Sequence, residues 1–166
     1  MMTPATLSAL LAEGGVRLCP DGLEVETRRA WVVPGEDRLS ATTILRLVEC
    51  CREHHWQQDI VPAATGQPVD SITKSINAEF FRPVPVPGTV HITYAVTQVR
   101  GRGYELCVTV RLPGGTLCAT VTMVQVFFDG ETHEATAPPP NVHERLQSLL
   151  AAHRSTSPRT TANASS

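Results

Sequence analysis

The stretch that decides the fold is Ser40-Ala-Thr-Thr-Ile-Leu-Arg-Leu-Val-Glu49-Cys-Cys-Arg52. Apolar side chains recur every three or four residues through this stretch and the turns after it, a spacing that predicts an amphipathic helix of about five turns. Ser40, Thr42 and Thr43 offer hydroxyls that can cap its first turn. Glu49 is a carboxylate in an otherwise apolar stretch, so its role needs an explanation.

Downstream of this helix the apolar spacing changes to two, which indicates β-strands. Four alternating patterns predict four antiparallel strands, beginning near Val69, Val90, Tyr104 and Leu117. An earlier strand is predicted over residues 23–33, which makes five strands in all. One face of the later strands is apolar and the other is rich in threonine, so the sheet should be covered on one side. The long helix is the element that can cover it.

The remaining segments are predicted to be short additions to a single domain. The predicted division is an N-terminal helix in residues 1–15, a main domain in 16–137, a C-terminal helix in 138–154 and a disordered tail in 155–166. Thr3 and Pro4 suit the start of the first of these helices, and Asn141 can cap the second. The segment 60–68 contains two prolines and a glycine, so we expect a loop that serves as a lid or substrate entrance.

Composition argues against several classes of partner. The 166 residues carry a formal net charge of -2 and no run of Lys or Arg, so neither nucleic acid nor an anionic membrane is an expected partner. No apolar stretch approaches the length that spans a bilayer, and no secretory signal is recognisable, so a cytoplasmic protein is expected. The five cysteines are an odd number without a Cys-x-x-Cys pattern, which predicts reduced thiols.

We expect structural roles for two pairs of residues that could otherwise be metal ligands or nucleophiles. His54 and His55 are adjacent on a helix, where neighbouring side chains point about 100° apart, and no Asp or His set four residues on completes a site. Cys50 and Cys51 have no evident partner base, which argues against a cysteine nucleophile. We therefore expect neither a metal centre nor a catalytic thiol.

Two segments resemble the 4-hydroxybenzoyl-CoA thioesterase family. The passage Ile76-Asn-Ala-Glu-Phe-Phe-Arg-Pro-Val84 followed by Gly88-Thr-Val-His-Ile92 looks like the second-to-third strand region of that family. The helix segment 45–52 is similar to the family's central helix. The resemblance implies the hotdog fold, an α+β architecture in which a five-stranded antiparallel sheet wraps around a long central helix.

The sequence departs from the family just before the helix. Branches with a catalytic aspartate carry an Asp-x-x-Gly-His-Val-Asn type motif there, whereas this chain has Gly35-Glu-Asp-Arg-Leu-Ser40. In a second branch the helix begins His-Gly-Gly-Ala, and an acidic residue six positions after the alanine carries the chemistry. Alignment of Ser40-Ala-Thr-Thr43 with that motif places Glu49 at the acid, although the His and both Gly are absent. A third branch, the enediyne polyketide thioesterases, uses an arginine near the helix start and backbone donors, and Arg38 lies near that position.

The resemblance implies four catalytic candidates and one phosphate contact. The backbone amides of Thr42 and Thr43 can stabilise the oxyanion of a thioester, because a helix N-terminus presents unpaired N–H groups. Glu49 can act as nucleophile or general base, Arg38 can contact substrate, and Arg82 can bind the phosphates of coenzyme A. The alternatives stay open: Glu49 in a surface pair with a neighbouring arginine, the two threonines as caps only, and the two arginines as surface cations.

We therefore predict a thioesterase that hydrolyses a thioester of coenzyme A or of an acyl carrier protein, in polyketide or other secondary metabolism. Coenzyme A or phosphopantetheine belongs to the substrate, and no separate cofactor is expected. Two chains should pair their sheets edge to edge, as a homodimer or a dimer of dimers, with the substrate between them. The alternatives are a hotdog module that binds or cyclises an acyl intermediate without hydrolysis, and a hotdog dehydratase or hydratase.

Overall fold

The structure is a computed structural model and describes residues 6–157. Its elements in chain order are α1 Leu7–Glu13, β1 Val16–Cys19, β2 Gly22–Thr27, a 3-10 turn Arg29–Trp31, α2 Ala41–His55, a π-turn Trp56–Ile60, α3 Val61–Ala63, β3 Ser71–Phe80, β4 Gly88–Val99, β5 Gly103–Arg111, β6 Leu117–Phe127 and α4 Pro140–Thr156. The predicted α+β class with one long helix against an antiparallel sheet is confirmed.

The sheet has six strands rather than the predicted five, in the order β1-β2-β4-β5-β6-β3, and every neighbouring pair is antiparallel. The additional strand is β1, a four-residue strand at one edge. The strand predicted over residues 23–33 ends at Thr27, and a 3-10 turn follows it. β3 forms the opposite edge, with side chains exposed or half-buried along its whole length.

The central helix α2 has the predicted start. Ser40 is its N-cap, and its Oγ accepts a hydrogen bond from the backbone N–H of Thr43 at 3.2 Å. Eight residues of α2 are buried, among them Leu47, Val48 and Cys51, and they pack on the apolar face of the sheet. Burial of this side of α2 by the sheet forms the hydrophobic core.

The segment after α2 differs from the predicted loop over residues 60–68. The helix continues through the π-turn into α3, which ends at Ala63. Ile60 and Ala64 are fully buried, so the first half of this segment is anchored in the core and does not have the freedom of a lid. Pro62 suggests a helix break in the sequence, but it lies in the first turn of α3, where its missing N–H costs no helical hydrogen bond.

The terminal helices also differ in detail from the prediction. α1 is capped by Thr6, whose Oγ1 accepts from the N–H of Ala9, while Thr3 and Pro4 lie outside the described residues. α4 starts at Pro140, so Asn141 lies inside the helix and does not cap it. The predicted disordered tail begins within a helix, since α4 runs to Thr156; residues 158–166 lie outside the described part.

A buried polar network ties α4 to the end of α2. Asp59, in the π-turn, is 2% exposed and accepts hydrogen bonds from His55 Nδ1 at 3.0 Å, Tyr94 OH at 2.6 Å and the guanidinium of Arg145 at 2.6 Å. The Nε2 atom of His55 lies 3.0 Å from the hydroxyl of Tyr104. The network therefore connects α2, two central strands and the C-terminal helix around one carboxylate.

The network has a defined protonation state. Burial lowers the pKa of His55, so its imidazole is neutral, donates from Nδ1 to Asp59 and accepts the Tyr104 O–H at Nε2. Burial raises the pKa of Asp59, but hydrogen bonds from His55, Tyr94 and Arg145 outweigh it and bring the value to about 2. Asp59 is therefore an ionised, fully paired carboxylate at neutral pH.

A substitution at Gly22 can test how closely β2 packs against β4. A Cβ atom at this position would overlap the backbone carbonyl oxygen of Ile92. We predict that Gly22→Ala lowers the free energy of unfolding by at least about 2 kcal/mol, measured by urea denaturation. Gly101→Ala is the matched control, because no atom lies within 4 Å of its added Cβ, and its stability should stay within about 0.5 kcal/mol of wild type. Equal stability of the two variants would contradict the packing described.

The lowered pKa of Asp59 predicts that the stability of the protein depends on pH. The pKa of Asp59 is lower in the folded state than in the unfolded chain. Its contribution to the free energy of unfolding is therefore complete above about pH 5 and is lost as the pH falls toward 2. We predict that Asp59→Asn lowers the free energy of unfolding by about 2 kcal/mol at pH 7, and that the difference from wild type shrinks between pH 5 and pH 3.

The measurement is urea denaturation of both proteins at pH 7, 5, 4 and 3, followed by circular dichroism. Asp37→Asn is the control, because Asp37 is exposed and its carboxylate is outside the network. A difference between Asp59→Asn and wild type that does not change with pH would show that the charge of Asp59 is not what stabilises the fold.

Candidate functional site

The region around the start of α2 is held in place by backbone hydrogen bonds on either side of it. The segment before α2 pairs with the segment after β3: the N–H of Leu39 donates to the carbonyl of Val84 at 3.0 Å, and the N–H of Val86 donates to the carbonyl of Asp37 at 2.8 Å. This pairing places Arg38 opposite Pro85. Two segments more than forty residues apart in sequence therefore meet beside the helix N-terminus.

An open groove of about 320 Å³ lies at this junction. Its lining residues come from the start of α2 and the end of β3: Arg38, Leu39, Ala41, Ile44, Phe80, Phe81, Arg82 and Pro83. Arg38 and Arg82, which are separate candidates in the sequence, thus border one groove, and both are exposed. The groove combines two guanidinium groups with apolar and aromatic surface next to a helix N-terminus.

The two threonines at the start of α2 have different environments. Thr43 is 1% exposed, its amide donates to Ser40 Oγ, and its hydroxyl lies 3.1 Å from the same oxygen. Its polar groups are therefore engaged in the cap. Thr42 is exposed, and its amide lies in the first turn, where the helix provides no acceptor. Of the two predicted oxyanion donors, Thr42 is the one whose backbone N–H is not engaged by the Ser40 cap.

Glu49 lies on the exposed side of α2, two turns beyond Thr42. Its Oε2 is 3.0 Å from Nε of Arg52, and its side chain is 43% exposed while that of Arg52 is 25% exposed. The surface ion pair that the sequence leaves open as an alternative is therefore present, with Arg52 as the partner. Because α2 rises about 1.5 Å per residue, Glu49 is about 10 Å along the helix from Thr42 and outside the groove of Arg38 and Arg82.

Phe80 and Phe81 have no role in the sequence-based prediction, although both line the groove. Phe80 and Phe81 are about half exposed, and exposed apolar surface of this kind is typical of ligand grooves and of contacts between chains. Their position directly before Arg82 is the signal that could have identified them.

The histidines of α2 are hydrogen-bonded to neighbouring groups and its cysteines are buried, so both have structural roles. His54 bonds the carbonyl of Cys19 at 2.8 Å, and His55 has an acidic partner four residues on, Asp59, which the sequence-based prediction missed. Burial raises the pKa of Cys50 to about 11 and that of Cys51 further, so neither thiol forms a nucleophilic thiolate at neutral pH. Within residues 6–157, no group of three or more His, Cys, Asp or Glu side chains is arranged to hold a metal ion.

Among the described residues, none of the helices combines the length and the apolar character required to cross a membrane.

The solved structures with the same fold include thioesterases and proteins in complex with coenzyme A. A thioesterase from Thermus thermophilus, complexed with coenzyme A and zinc, superposes with a TM-score of 0.66 at 18% identity, over 80% of this chain and 95% of that one. A 1,4-dihydroxy-2-naphthoyl-CoA thioesterase from Synechocystis gives a TM-score of 0.62 at 12% identity, over 79% and 95% of the two chains. At these identities the similarity establishes the fold.

A Staphylococcus aureus protein solved in complex with coenzyme A gives a TM-score of 0.67 at 9% identity, over 77% of this chain and 82% of that one. No curated protein matches the sequence. The model of the thioesterase-like superfamily matches residues 34–146, which include α2, the groove and strands β3 to β6. The chain therefore belongs to the thioesterase-like superfamily of hotdog proteins.

Proposed function

We propose that this protein hydrolyses an acyl thioester of coenzyme A or of an acyl carrier protein. The observation that supports this most directly is the groove in which Arg38 and Arg82 flank the start of α2. Both thiol carriers end in a phosphopantetheine arm, and guanidinium groups are suited to bind its phosphate. The apolar surface of Phe80 and Phe81 can contact the uncharged part of that arm.

The proposed chemistry uses the amide of Thr42 and the carboxylate of Glu49. The Thr42 N–H donates to the thioester carbonyl oxygen and stabilises the negative charge that develops on it. Glu49 takes a proton from a water molecule whose oxygen adds to the carbonyl carbon. When the tetrahedral intermediate collapses, the carbon–sulfur bond breaks, and the leaving thiolate receives the proton that Glu49 took from the water, which returns Glu49 to its ionised form. Arg52 holds the Glu49 carboxylate through the observed ion pair.

One chain cannot direct both groups at the same carbonyl. Thr42 and Glu49 lie on the same side of α2 but are separated by about 10 Å along its axis. The two groups can meet only if a second chain brings its own α2 alongside in the opposite direction. We therefore propose that the thioester binds between the Thr42 amide of one chain and the Glu49 carboxylate of its partner.

The free edge of β3 provides the contact for such a partner. β3 is ten residues long, pairs with β6 on one side only, and exposes Ile72, Ile76 and Phe80 by about half. An unprotected apolar edge strand is a template for pairing with another chain. Antiparallel pairing of two β3 strands about a two-fold axis would place both α2 helices on one face of a continuous sheet, running in opposite directions.

A non-hydrolytic binding module is the second candidate, and the environment of Glu49 favours it. The carboxylate is partly exposed and already paired with Arg52, as in an ordinary surface ion pair. A dehydratase has less support, because none of the described residues that line the groove is a histidine. A carrier-protein partner, a role in polyketide metabolism, a dimer of dimers and a cytoplasmic location stay predictions.

We predict that Glu49→Ala lowers kcat for thioester hydrolysis by at least about 100-fold, because the general base is lost. Hydrolysis would be followed as release of free thiol from a panel of acyl-CoA substrates and phosphopantetheine thioesters. Glu144→Ala is the matched control, because Glu144 is an exposed glutamate on another helix, and it should retain wild-type turnover.

Unchanged turnover of Glu49→Ala would remove Glu49 from the mechanism and leave Arg38 with the helix amides as the catalytic groups. A wild-type protein that binds the panel but hydrolyses none of it would support the binding module.

The two-chain site makes a prediction for mixed dimers. Thr42→Pro removes the amide hydrogen in the first turn of a helix, where proline is tolerated. We predict that Thr42→Pro and Glu49→Ala homodimers are both inactive. A heterodimer of the two variants, isolated by co-expression with different affinity tags, should regain about half of wild-type activity, because one of its two sites then has both groups intact.

A site built within one chain predicts the opposite result, because each chain of the heterodimer would lack one group and the heterodimer would be inactive. Thr42→Ala is the control for the amide: it removes the hydroxyl, keeps the N–H and should retain activity. Loss of activity in Thr42→Ala would assign the role to the hydroxyl instead.

A further inference from the structure

A hollow of about 380 Å³ opens on the outer face of the sheet, the face turned away from α2. It lies where the turn between β4 and β5 meets the start of β3 and the end of β6. Val124 of β6 is part of its lining and follows Met123, whose side chain is fully buried in the core, so Val124 points to the outer face. The volume is in the range of small-molecule sites.

The strand register and one glycine shape the floor of the hollow. Val124 pairs with Glu105 of β5, and Val126 pairs with Gly103 in the next row on the same face. Gly103 has no side chain to cover this point, and a Cβ atom there would overlap the backbone carbonyl oxygen of Gln125. The floor therefore consists of exposed backbone and two valine side chains, and the glycine position admits no larger residue.

The rim of the hollow carries an excess of positive charge. Lys74, Arg100 and Arg102 are all exposed there, against the single carboxylate of Glu105. Within residues 6–157 none of these three cations forms an ion pair, and Arg100 instead donates from Nη2 to Oε1 of Gln98 at 2.9 Å. Lys74 is the only lysine of the chain and the bulged residue of β3. The three charges are therefore available to a bound anion.

Glu105 adds a hydrogen-bond acceptor to the same hollow. Its Oε1 accepts from the hydroxyl of Thr97 at 2.7 Å, and in the described part of the chain no donor is bonded to its Oε2. An ionised carboxylate accepts hydrogen bonds and repels phosphate. A ligand that fills the hollow must therefore present negative charge to the rim and a donor to Glu105.

We propose that the hollow is a binding site for a nucleoside phosphate. The phosphate oxygens bind the three cations of the rim, since guanidinium groups form paired, charge-assisted hydrogen bonds with phosphate. The flat base lies on the two valines of the floor, and the ribose hydroxyls or the amino group of the base donate to Glu105. Inorganic phosphate meets only the first of these requirements.

The hollow is a different site from the groove of Arg38 and Arg82. Lys74 and Phe80 are six residues apart on β3, about 20 Å at the rise of a strand, and the two sites open on opposite faces of the sheet. In coenzyme A the phosphate at the end of the pantetheine arm is joined directly to the nucleotide. A coenzyme A molecule held by Arg82 therefore cannot also fill the hollow of the same chain, so this site goes beyond the proposed function.

The test measures binding of ADP, adenosine and pyrophosphate to the full chain by isothermal titration calorimetry. ADP should bind at least about tenfold more tightly than either of the other two. Lys74→Gln, Arg100→Gln and Arg102→Gln should each weaken ADP binding about tenfold, because each removes a charge-assisted hydrogen bond. Arg154→Gln is the matched control: it removes an exposed arginine of α4 outside the hollow and should bind ADP as the wild type does.

Glu105 distinguishes a nucleoside site from a patch of positive charge. Glu105→Val removes the negative charge and the acceptor while it keeps a residue suited to a strand. ADP affinity should fall at least about fivefold, while pyrophosphate, which has no donor for the carboxylate, should bind as well as before or more tightly. Tighter binding of both ligands to this variant would overturn the proposal.

Equal affinity of the wild type for ADP and pyrophosphate would also overturn the proposal and indicate a general anion patch. Unchanged ADP binding in all three cation variants would place the nucleotide elsewhere and overturn it as well. Titration with coenzyme A separates two sources of the same chemistry. A loss of coenzyme A affinity that parallels the loss for ADP assigns the hollow to the nucleotide end of coenzyme A, and unchanged affinity assigns it to a free nucleotide.

The outcome is independent of the proposed function. The variants leave Thr42, Glu49 and the groove residues intact, and the readout is nucleotide binding rather than turnover. A protein that hydrolyses no thioester but binds ADP with the expected selectivity would retain this site and lose only the proposed activity. A thioesterase that does not bind ADP would lose only this site.

Discussion

The structure depends on the burial of α2 by the antiparallel sheet. Eight of its residues are removed from water, and they occupy a continuous side of the helix. This constraint assigns every remaining α2 position to one exposed flank, where Glu49 and Arg52 are found. The unpaired backbone groups at the two ends of the helix need local partners. Ser40 caps the start, and the π-turn around Asp59 continues the backbone at the end. Core formation and site geometry thus follow from the same packing.

The same constraint explains why the proposed catalytic site requires two chains. A straight helix that is buried on one side keeps its exposed residues in a line, and residues seven positions apart in that line are far apart in space. In the proposed mechanism, a helix amide and a carboxylate two turns later therefore cooperate across an interface between two chains. The exposed edge of β3 and the half-exposed aromatic residues at its end lie beside that line of residues.

Local patterns made much of the fold predictable, and long-range contacts account for what was missed. The spacing of α2, the hydroxyl of Ser40 and the alternation in β3 to β6 are signals contained within a few residues. β1 was missed because it has four residues with a half-exposed pattern that gives little alternation. Arg38 and Arg82 could each be singled out, but their common groove depends on the pairing of Leu39 with Val84.

The Asp59–Arg145 bond joins residues 86 positions apart in the chain. During synthesis, α2 and the strands that pack on it are complete long before Arg145 leaves the ribosome. Until α4 arrives, the carboxylate at the end of the central helix lacks the guanidinium that balances its charge, and an unpaired buried charge destabilises a fold by several kcal/mol. α4 is therefore the element that supplies the balancing charge, and a chain that ends before it would keep the Asp59 carboxylate without its guanidinium partner.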